Sequence, residues 1–355
     1  MDLKEFLNSE NIALYINKLP AESTLDSVLF PDEKQLSMEI EQAEAEDERV
    51  QVLKVSQFDV AAKKRALNAS VDIKKHEMPF FKESIGINEK TRRDIIQAKN
   101  SGNQTIIEHL MKKVFDNYAN LVDGGINQMR RMRAQVIQFG AINLVTNEGD
   151  VVVDFNIPTN QKITLSSDKK WNVASADIIG DILKWQKIFV KAGRKKPTRL
   201  IMTEETFENT IMINTAIKND MANRMIAVTP TSNLIITQIE FLNYLKSRFG
   251  LSVAFVDGSF INEGGESQNF YEDGRISFIP EGTLGKSKYS FTPEEYDKIY
   301  GSKKIDTSVV KTAIAITTMV NEDPVTVDTK VSMIGMPQLD NPKGMLIAKV
   351  YCVYI

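Results

Sequence analysis

The sequence predicts an α+β fold in which an α/β segment is inserted into a second, discontinuous domain, and three features carry that expectation. An amphipathic helical pattern runs for about 30 residues from the neighbourhood of Ser101-Gly102-Asn103. Helix and strand signals alternate only after Trp171. From Thr307 onward the chain turns to strands punctuated by turns, and these need a surface to cover them.

The first 35 residues mix short apolar clusters with Asn17, Pro20, Ser23 and Pro31 and hold no sustained period, which predicts an extended arm. From Leu36 the run LSMEIE alternates apolar and acidic side chains, and VQVLKV (50–55) is β-rich. A second candidate strand runs from Val71-Asp72-Ile73 toward Met78-Pro79-Phe80-Phe81. Between them lies FDVAAKKRALNAS with the cationic triplet Lys63, Lys64 and Arg65. The pieces form a long hairpin with a basic tip. Two strands alone bury little apolar surface, so the hairpin's partner layer is expected from another subunit.

In the long helix Ile107, Met111, Val114, Tyr118 and Leu121 make one stripe, and Met129, Met132 and Val136 resume it after Gly124-Gly125. A bend is expected at the glycines, where helix propensity drops by about 1 kcal/mol each. A strand follows over 149–155. Asp177 to Val190 reads as an amphipathic helix and TRLIM as a strand, after which Thr203 caps a helix bearing Phe207, Ile211 and Met212. Leu234 to Phe249 is a further helix stopped by Gly250, ahead of the strands SVAFV and RISFIP. The closing strands VVKTAIAITTMV, VTVDTKVSMIGMP and GMLIAKVYCVYI are expected to lie over the long helix together with the Val151 strand.

Composition bounds the function. The 355 residues are 42% hydrophobic and 26% charged, ordinary for a globular chain with room for two domains. No apolar run reaches a membrane span, and the start has no signal-peptide pattern, so the chain is expected to be made and used in the cytosol. The single cysteine, Cys352, excludes an internal disulfide and is expected to be buried as a small hydrophobe. The net charge of -3 hides an asymmetry: residues 1–48 hold 13 acidic residues against Lys4, Lys18 and Lys34, a balance of -10, which leaves the remainder at +7. Such an acidic arm either lies on a neighbour's basic surface or stays solvated.

The usual parts of a catalytic site are scarce. With two histidines (His76, His109), one cysteine and no HExxH, CxxC or GxSxG, zinc hydrolysis, thiol redox and the hydrolase elbow lack their residues, and no cofactor is implied. The run Pro280-Glu281-Gly282-Thr283-Leu284-Gly285-Lys286-Ser287 ends in GKS, but Pro280 stands where a phosphate loop needs glycine, and Pro293 in KYSFTPEEY is expected to delay any helix. The acids Glu39, Glu41, Glu44, Glu46, Asp47 and Glu48 read as a solvated or partner-facing stretch rather than a cation site. Arg130, Arg131 and Arg133 are candidates for contact with DNA phosphates, or else complement a helix end.

The ordered series of short segments resembles one family. Leu29-Phe30-Pro31, Met78-Pro79-Phe80-Phe81, the long helix, Val152-Val153-Asp154-Phe155, Trp171 with Ala176-Asp177-Ile178, Leu200-Ile201-Met202 and Ile276 to Gly282 follow one another as in the lambda E-type major capsid proteins of tailed bacteriophages. These have the Hong Kong 97-type phage capsid fold. The resemblance implies an N-arm (1–35), an E-loop hairpin (36–86), a discontinuous P domain with a long spine helix (87–165 and 305–355) and an inserted α/β A domain (166–304). It implies a non-enzymatic subunit that self-assembles as hexamers and pentamers into an icosahedral shell around packaged double-stranded DNA, in the virion, after assembly in the host cytoplasm. A scaffolding protein, a portal and a decoration protein are the partners it brings; a membrane is not among them. Lys63, Lys64 and Arg65 become candidates for intersubunit contact, with Glu44, Glu46, Asp47 and Glu48 as counterpart. The lysine–asparagine crosslink of some members is not carried over, because no activating carboxylate can be placed near Lys63, Lys64 and Asn68. Two other readings stand beside it: a same-fold shell enclosing enzyme cargo, and a soluble α/β enzyme that binds phosphate through Gly282 to Ser287.

Overall fold

The computed structural model describes residues 8–20, 23–43, 73–100, 104–146, 149–166, 169–226, 236–302, 304–323 and 325–352. The chain begins with helices α1 (Ser9–Lys18) and α2 (Leu25–Leu29) and strand β1 (Asp32–Lys34). The first 35 residues are therefore helical over much of their described length rather than extended. Burial is the reason: Ile12 and Ile16, one turn apart, are 0% and 2% exposed, and tertiary packing sustains a ten-residue helix that propensity alone would not.

Next come β2 (Glu39–Ala43) and β3 (Ile73–Glu77), paired antiparallel from Glu39 opposite Glu77 to Ala43 opposite Ile73. This is the base of the expected hairpin; its tip, with Lys63, Lys64 and Arg65, lies outside the described residues. β4 (Phe80–Ile87) leads into helix α3 (Glu89–Asn100), whose charged sequence EKTRRDIIQAKN buries Ile95 and gives little periodic signal. Helix α4 (Gln104–Phe139) is the long one, 36 residues or about 54 Å at 1.5 Å per residue. It runs through Gly124-Gly125 as the one long helix expected.

β5 (Ala141–Thr146) and β6 (Gly149–Asp154) form a hairpin, and β7 (Lys162–Thr164) follows. Helix α5 (Ile178–Lys191) is capped by Asp177, whose carboxylate accepts from the Gly180 N–H at 2.9 Å. β8 (Arg199–Met202) runs into α6 (Glu204–Phe207), capped by Thr203 as expected, and the turn continues as a wider π segment through Met212. After α7 (Thr215–Ile226) and α8 (Gln238–Phe249), the latter stopped by Gly250 at φ 70°, come β9 (Ser252–Phe255), β10 (Ser259–Ile261), β11 (Ser267–Asn269) and β12 (Arg275–Ile279). The GKS run lies in strand β13 (Gly285–Ser290). Helix α9 (Pro293–Tyr300) opens at Pro293 itself, at the first helical position where its missing N–H costs nothing; the expectation that Pro293 delays helix is thereby corrected. β14 (Asp306–Val310), β15 (Ile314–Glu322), β16 (Val325–Leu339) and β17 (Leu346–Lys349) complete the chain.

Two main sheets result. In the first, β16 is the hub: it pairs with β15 over Val325–Ser332, with β4 over Val327–Ile334 and with β13 over Ile334–Leu339, while β14 extends one end and β1 adds in parallel to β13. Helix α4 packs on this sheet through Met129, Met132, Val136 and Ile137, joined by Ile12, Phe30, Ile314 and Ile334 in one core. The second sheet runs β7-β17-β12-β8-β9 and shares a separate core with α5, α7 and α8, centred on Trp171, Trp185, Phe207 and Phe278. The last strand thus pairs in the second sheet, not with the other closing strands, and still meets α4 through Ile347. The chain crosses between sheets at 280–284 and returns at 340–345.

Candidate assembly junction

The polar centre of the first region lies where the arm meets the long helix and strand β13. Arg133, on α4, is 5% exposed, and its three nitrogens are all engaged: Nε donates to Ser287 Oγ at 2.8 Å, Nη2 to Asp32 Oδ1 at 2.7 Å, and Nη1 to Asp26 Oδ2 at 3.4 Å. Asp26 is itself 2% exposed and takes a second cation, Arg130, at 3.4 Å. Thr312 donates to the other oxygen of Asp32 at 3.0 Å. Charged groups this buried persist only when paired and hydrogen-bonded. Here each carboxylate comes from the arm and each guanidinium from the helix, so the pairing fixes one to the other.

Strand β13 forms the third side. Ser287 donates its hydroxyl to Phe30 O at 2.9 Å and its N–H to Pro31 O at 3.0 Å, and Leu284 N–H donates to Leu29 O at 2.9 Å. Lys286 and Lys288 both grip Glu33, and together hold its carboxyl far below the usual range, at about 2. Lys34 reaches Glu295 at 2.5 Å and lies 4.5 Å from the Phe291 ring centre. Burial, with Asp32 nearby, pushes the Tyr289 hydroxyl up. Gly285 is required for the approach of β13 to β16, since a Cβ there would stand 1.8 Å from Gln338 O.

The GKS residues are therefore committed to the arm. Ser287 is fully buried, Lys286 and Lys288 are ion-paired, and the run is strand where a phosphate loop needs a turn opening a helix. The phosphate-binding reading has lost its residues.

The cationic run is likewise engaged within the subunit. Arg131 pairs with Glu263 at 2.7 Å and lies over Phe260, while Arg130 lies 4.2 Å from the Phe270 ring centre and donates to Asp257 O at 3.2 Å. These two pin the β10–β11 hairpin to α4. Arg133 is buried, which corrects its assignment as a DNA-facing residue: a phosphate would have to displace two carboxylates to reach it. Spacing on a helix gave the run away as cationic but not its partners, which stand 101 to 154 residues distant for Arg133.

Glu44, Glu46, Asp47 and Glu48 lie, like Lys63, Lys64 and Arg65, outside the described residues. His109 is exposed; His76 is half-buried on β3, where burial and then Lys74 lower its pKa. Cys352 is half-buried rather than buried, because it falls just past the last strand. Among the described residues no group of three or more His, Cys, Asp or Glu is arranged to hold a metal ion. A cavity of about 460 Å³ opens beside Arg133 between the arm and α4, lined by Asp26, Asp123, Arg130 and Lys311 among others; its mixed charge is that of the junction itself.

The family model described as phage major capsid protein E matches residues 8–350. Among solved structures, a protein assigned as a prophage capsid protein, from E. coli CFT073, aligns with a TM-score of 0.60 at 11% identity over 97% of this chain and 99% of that one. A phage-related protein from Bordetella bronchiseptica RB50 aligns with a TM-score of 0.50 at 8% identity over 97% of each. A sequence search of curated proteins found no match.

Proposed function

The chain belongs to the phage major capsid protein E family, and from that premise we propose how its parts divide the work of a head shell. It is the major capsid protein of a tailed phage, a structural subunit of the virion whose copies assemble into the shell of the head. The observation that carries this is the match over residues 8–350, nearly the whole chain, joined to a likeness of fold over 97% of its length.

The division of labour is our reading. Residues 1–35 act as an N-arm and 36–86 as an E-loop that lies over an adjacent subunit. The long helix α4 serves as the spine of a P domain built from 87–165 and 305–355. Within the 166–304 expected for it, residues 166–279 form the A domain that gathers at the axes of hexamers and pentamers, its sheet completed by β7 and β17, while β13 and α9 pack with the first sheet. Two apolar cores support this, one on each face of the second sheet: Trp171, Trp185, Phe207 and Phe278 fill one, while Ile201, Ile279 and Ile347 turn to α4 in the other. In the same reading Lys63, Lys64 and Arg65 bridge to the acids Glu44, Glu46, Asp47 and Glu48 of a neighbour. The subunit catalyses nothing. It is assembled in the host cytoplasm with a scaffolding protein and a portal, takes a decoration protein where the phage encodes one, and contacts packaged double-stranded DNA without sequence preference.

Changing Lys63, Lys64 and Arg65 together to glutamate tests the bridge. The variant is expected to fold as a subunit and fail to form closed shells; normal shells from it would remove these three residues from the interface.

A further inference from the structure

Helix α5 buries one side and leaves the other to cations. Ile182, Trp185 and Phe189 enter the aromatic core, and Gln186 donates its amide to Phe249 O at 2.9 Å, so the rotation of the helix about its axis is fixed. The opposite side carries Lys184, Lys187 and Lys191, spaced i, i+3 and i+7 and all exposed. Gly193, at φ 74°, closes the helix while the Arg194 N–H folds back to Phe189 O at 2.9 Å, and exposed Lys195 and Lys196 follow. From Lys184 to Lys196 the chain holds six cations and no acid.

Little nearby offsets that charge. The acids of α5 stand at its start, where Asp177 accepts from the Gly180 N–H and Asp181 from Trp171 Nε1 at 3.0 Å. Asp220, on the packed helix α7, is shared by Tyr244, Arg224 and Arg248. Glu281, past the end of β12, acts on the Arg199 guanidinium. The short turn Pro342–Gly344 brings a further cation, Lys343, whose carbonyl accepts from Arg194 Nη1 at 3.1 Å. Lys184, Lys187, Lys195 and Lys196 pair with no carboxylate among the described residues.

Like charges gathered on one face favour a polyanion, and the residue type narrows which one. Lysine is depleted from protein–protein interfaces, where arginine and aromatic rings are enriched, whereas flexible ammonium groups suit phosphates met in any register. Leu183 and Val190, 37% and 52% exposed, border the row but supply no ring to anchor a protein partner. At 1.5 Å per residue the row from Lys184 to Lys191 is about 10 Å long, and a DNA duplex carries about one charge per 1.7 Å of axis, so the row spans several phosphates.

We propose that the lysine face of α5, continued by Lys195 and Lys196, contacts the phosphate backbone of double-stranded DNA. The proposal rests on the capsid reading, which supplies the DNA, and it moves that contact away from Arg130, Arg131 and Arg133, which are engaged within the subunit.

The test uses the full chain as unassembled subunits with a duplex of random sequence. Lys184→Gln, Lys187→Gln, Lys195→Gln and Lys196→Gln combined are expected to weaken binding at least about tenfold at low salt and to lower the slope of log K against log salt by about 3, each phosphate contact contributing about 0.9. Arginine at the same four positions should restore both, and each variant should match the wild type in thermal midpoint and in yield of shells. An unchanged slope, or no binding by the wild type, would overturn the DNA face. Equal binding of poly-glutamate would point to an acidic protein instead, and failure of the glutamine variant to close shells would place these lysines between subunits; either would overturn it. All of these leave the capsid reading intact while the wild-type chain forms shells, and absence of wild-type shells would overturn both.

Discussion

Around the second sheet, Trp171 stacks on Trp185 with ring centres 5.2 Å apart, and Trp185 meets Phe278 edge-on at 5.7 Å; at the arm, cohesion instead runs through Arg133, two aspartates and a serine. Both regions are buried, yet they hold by different means. The aromatic core is non-directional and grows with area removed from water. The arm junction depends on donors meeting acceptors, so it has one geometry and no near substitutes. An aromatic core suits a unit that must keep its shape, whereas a directional clamp fixes a terminal segment in a single register.

Substitution separates the two mechanisms. The largest effect is expected from Trp185→Ala, which removes a stacking and an edge-on partner from a closed core and should cost about 3–5 kcal/mol, read as a fall in the thermal midpoint. Arg133→Met should cost about 3 kcal/mol, at the low end for a broken buried pair because Arg130 remains beside Asp26. Its signature differs: limited proteolysis should cut the arm first, while near-ultraviolet dichroism of the tryptophan core persists. Loss of both signals together would mean the regions are not separable.

Gly335→Ala should fall between core and clamp in mechanism and cost about 1–3 kcal/mol, since the added Cβ would stand 2.6 Å from Tyr289 Cδ1 and 2.9 Å from Lys288 O. Wild-type thermal stability in this variant would show that β13 can shift away from β16.

The smallest effect concerns Glu33. Its carboxyl is held at about 2 in the folded chain against 4.5 unperturbed, so its contribution is complete above pH 4.5 and disappears as pH falls toward 2. Protease protection of the arm should therefore hold from pH 7 to 5 and decline below that, and Glu33→Gln should abolish this part of the decline. Because the pair is exposed, added salt should weaken it; an insensitivity to salt would show that Glu33 is not the group responsible.

The same contrast explains what the sequence disclosed. Helix α5, the Thr203 cap, the Gly250 stop and most of α4 were legible, because period and capping are local. The hairpin base Glu39–Ala43 with Ile73–Glu77 was legible for the same reason. Helix α1 was not, since Ile12 and Ile16 become a helical face only against the body. Nor was the destination of β17, whose apolar run suits either sheet. The junction left no local trace: Asp26, Asp32, Ser287 and Arg133 are common residues far apart in the chain, and only the fold brings them together. The GKS run was set aside on local grounds, Pro280 and the absent helix, and its strand in β13 agrees, as short polar strings carry meaning only in their structural setting.

The most direct test of the account is electron microscopy of the full chain, expressed alone and with the neighbouring phage genes, after size-exclusion chromatography. Closed shells, or capsomer rings and tubes built from the same subunit, are the predicted result; a small discrete oligomer under every condition would contradict it.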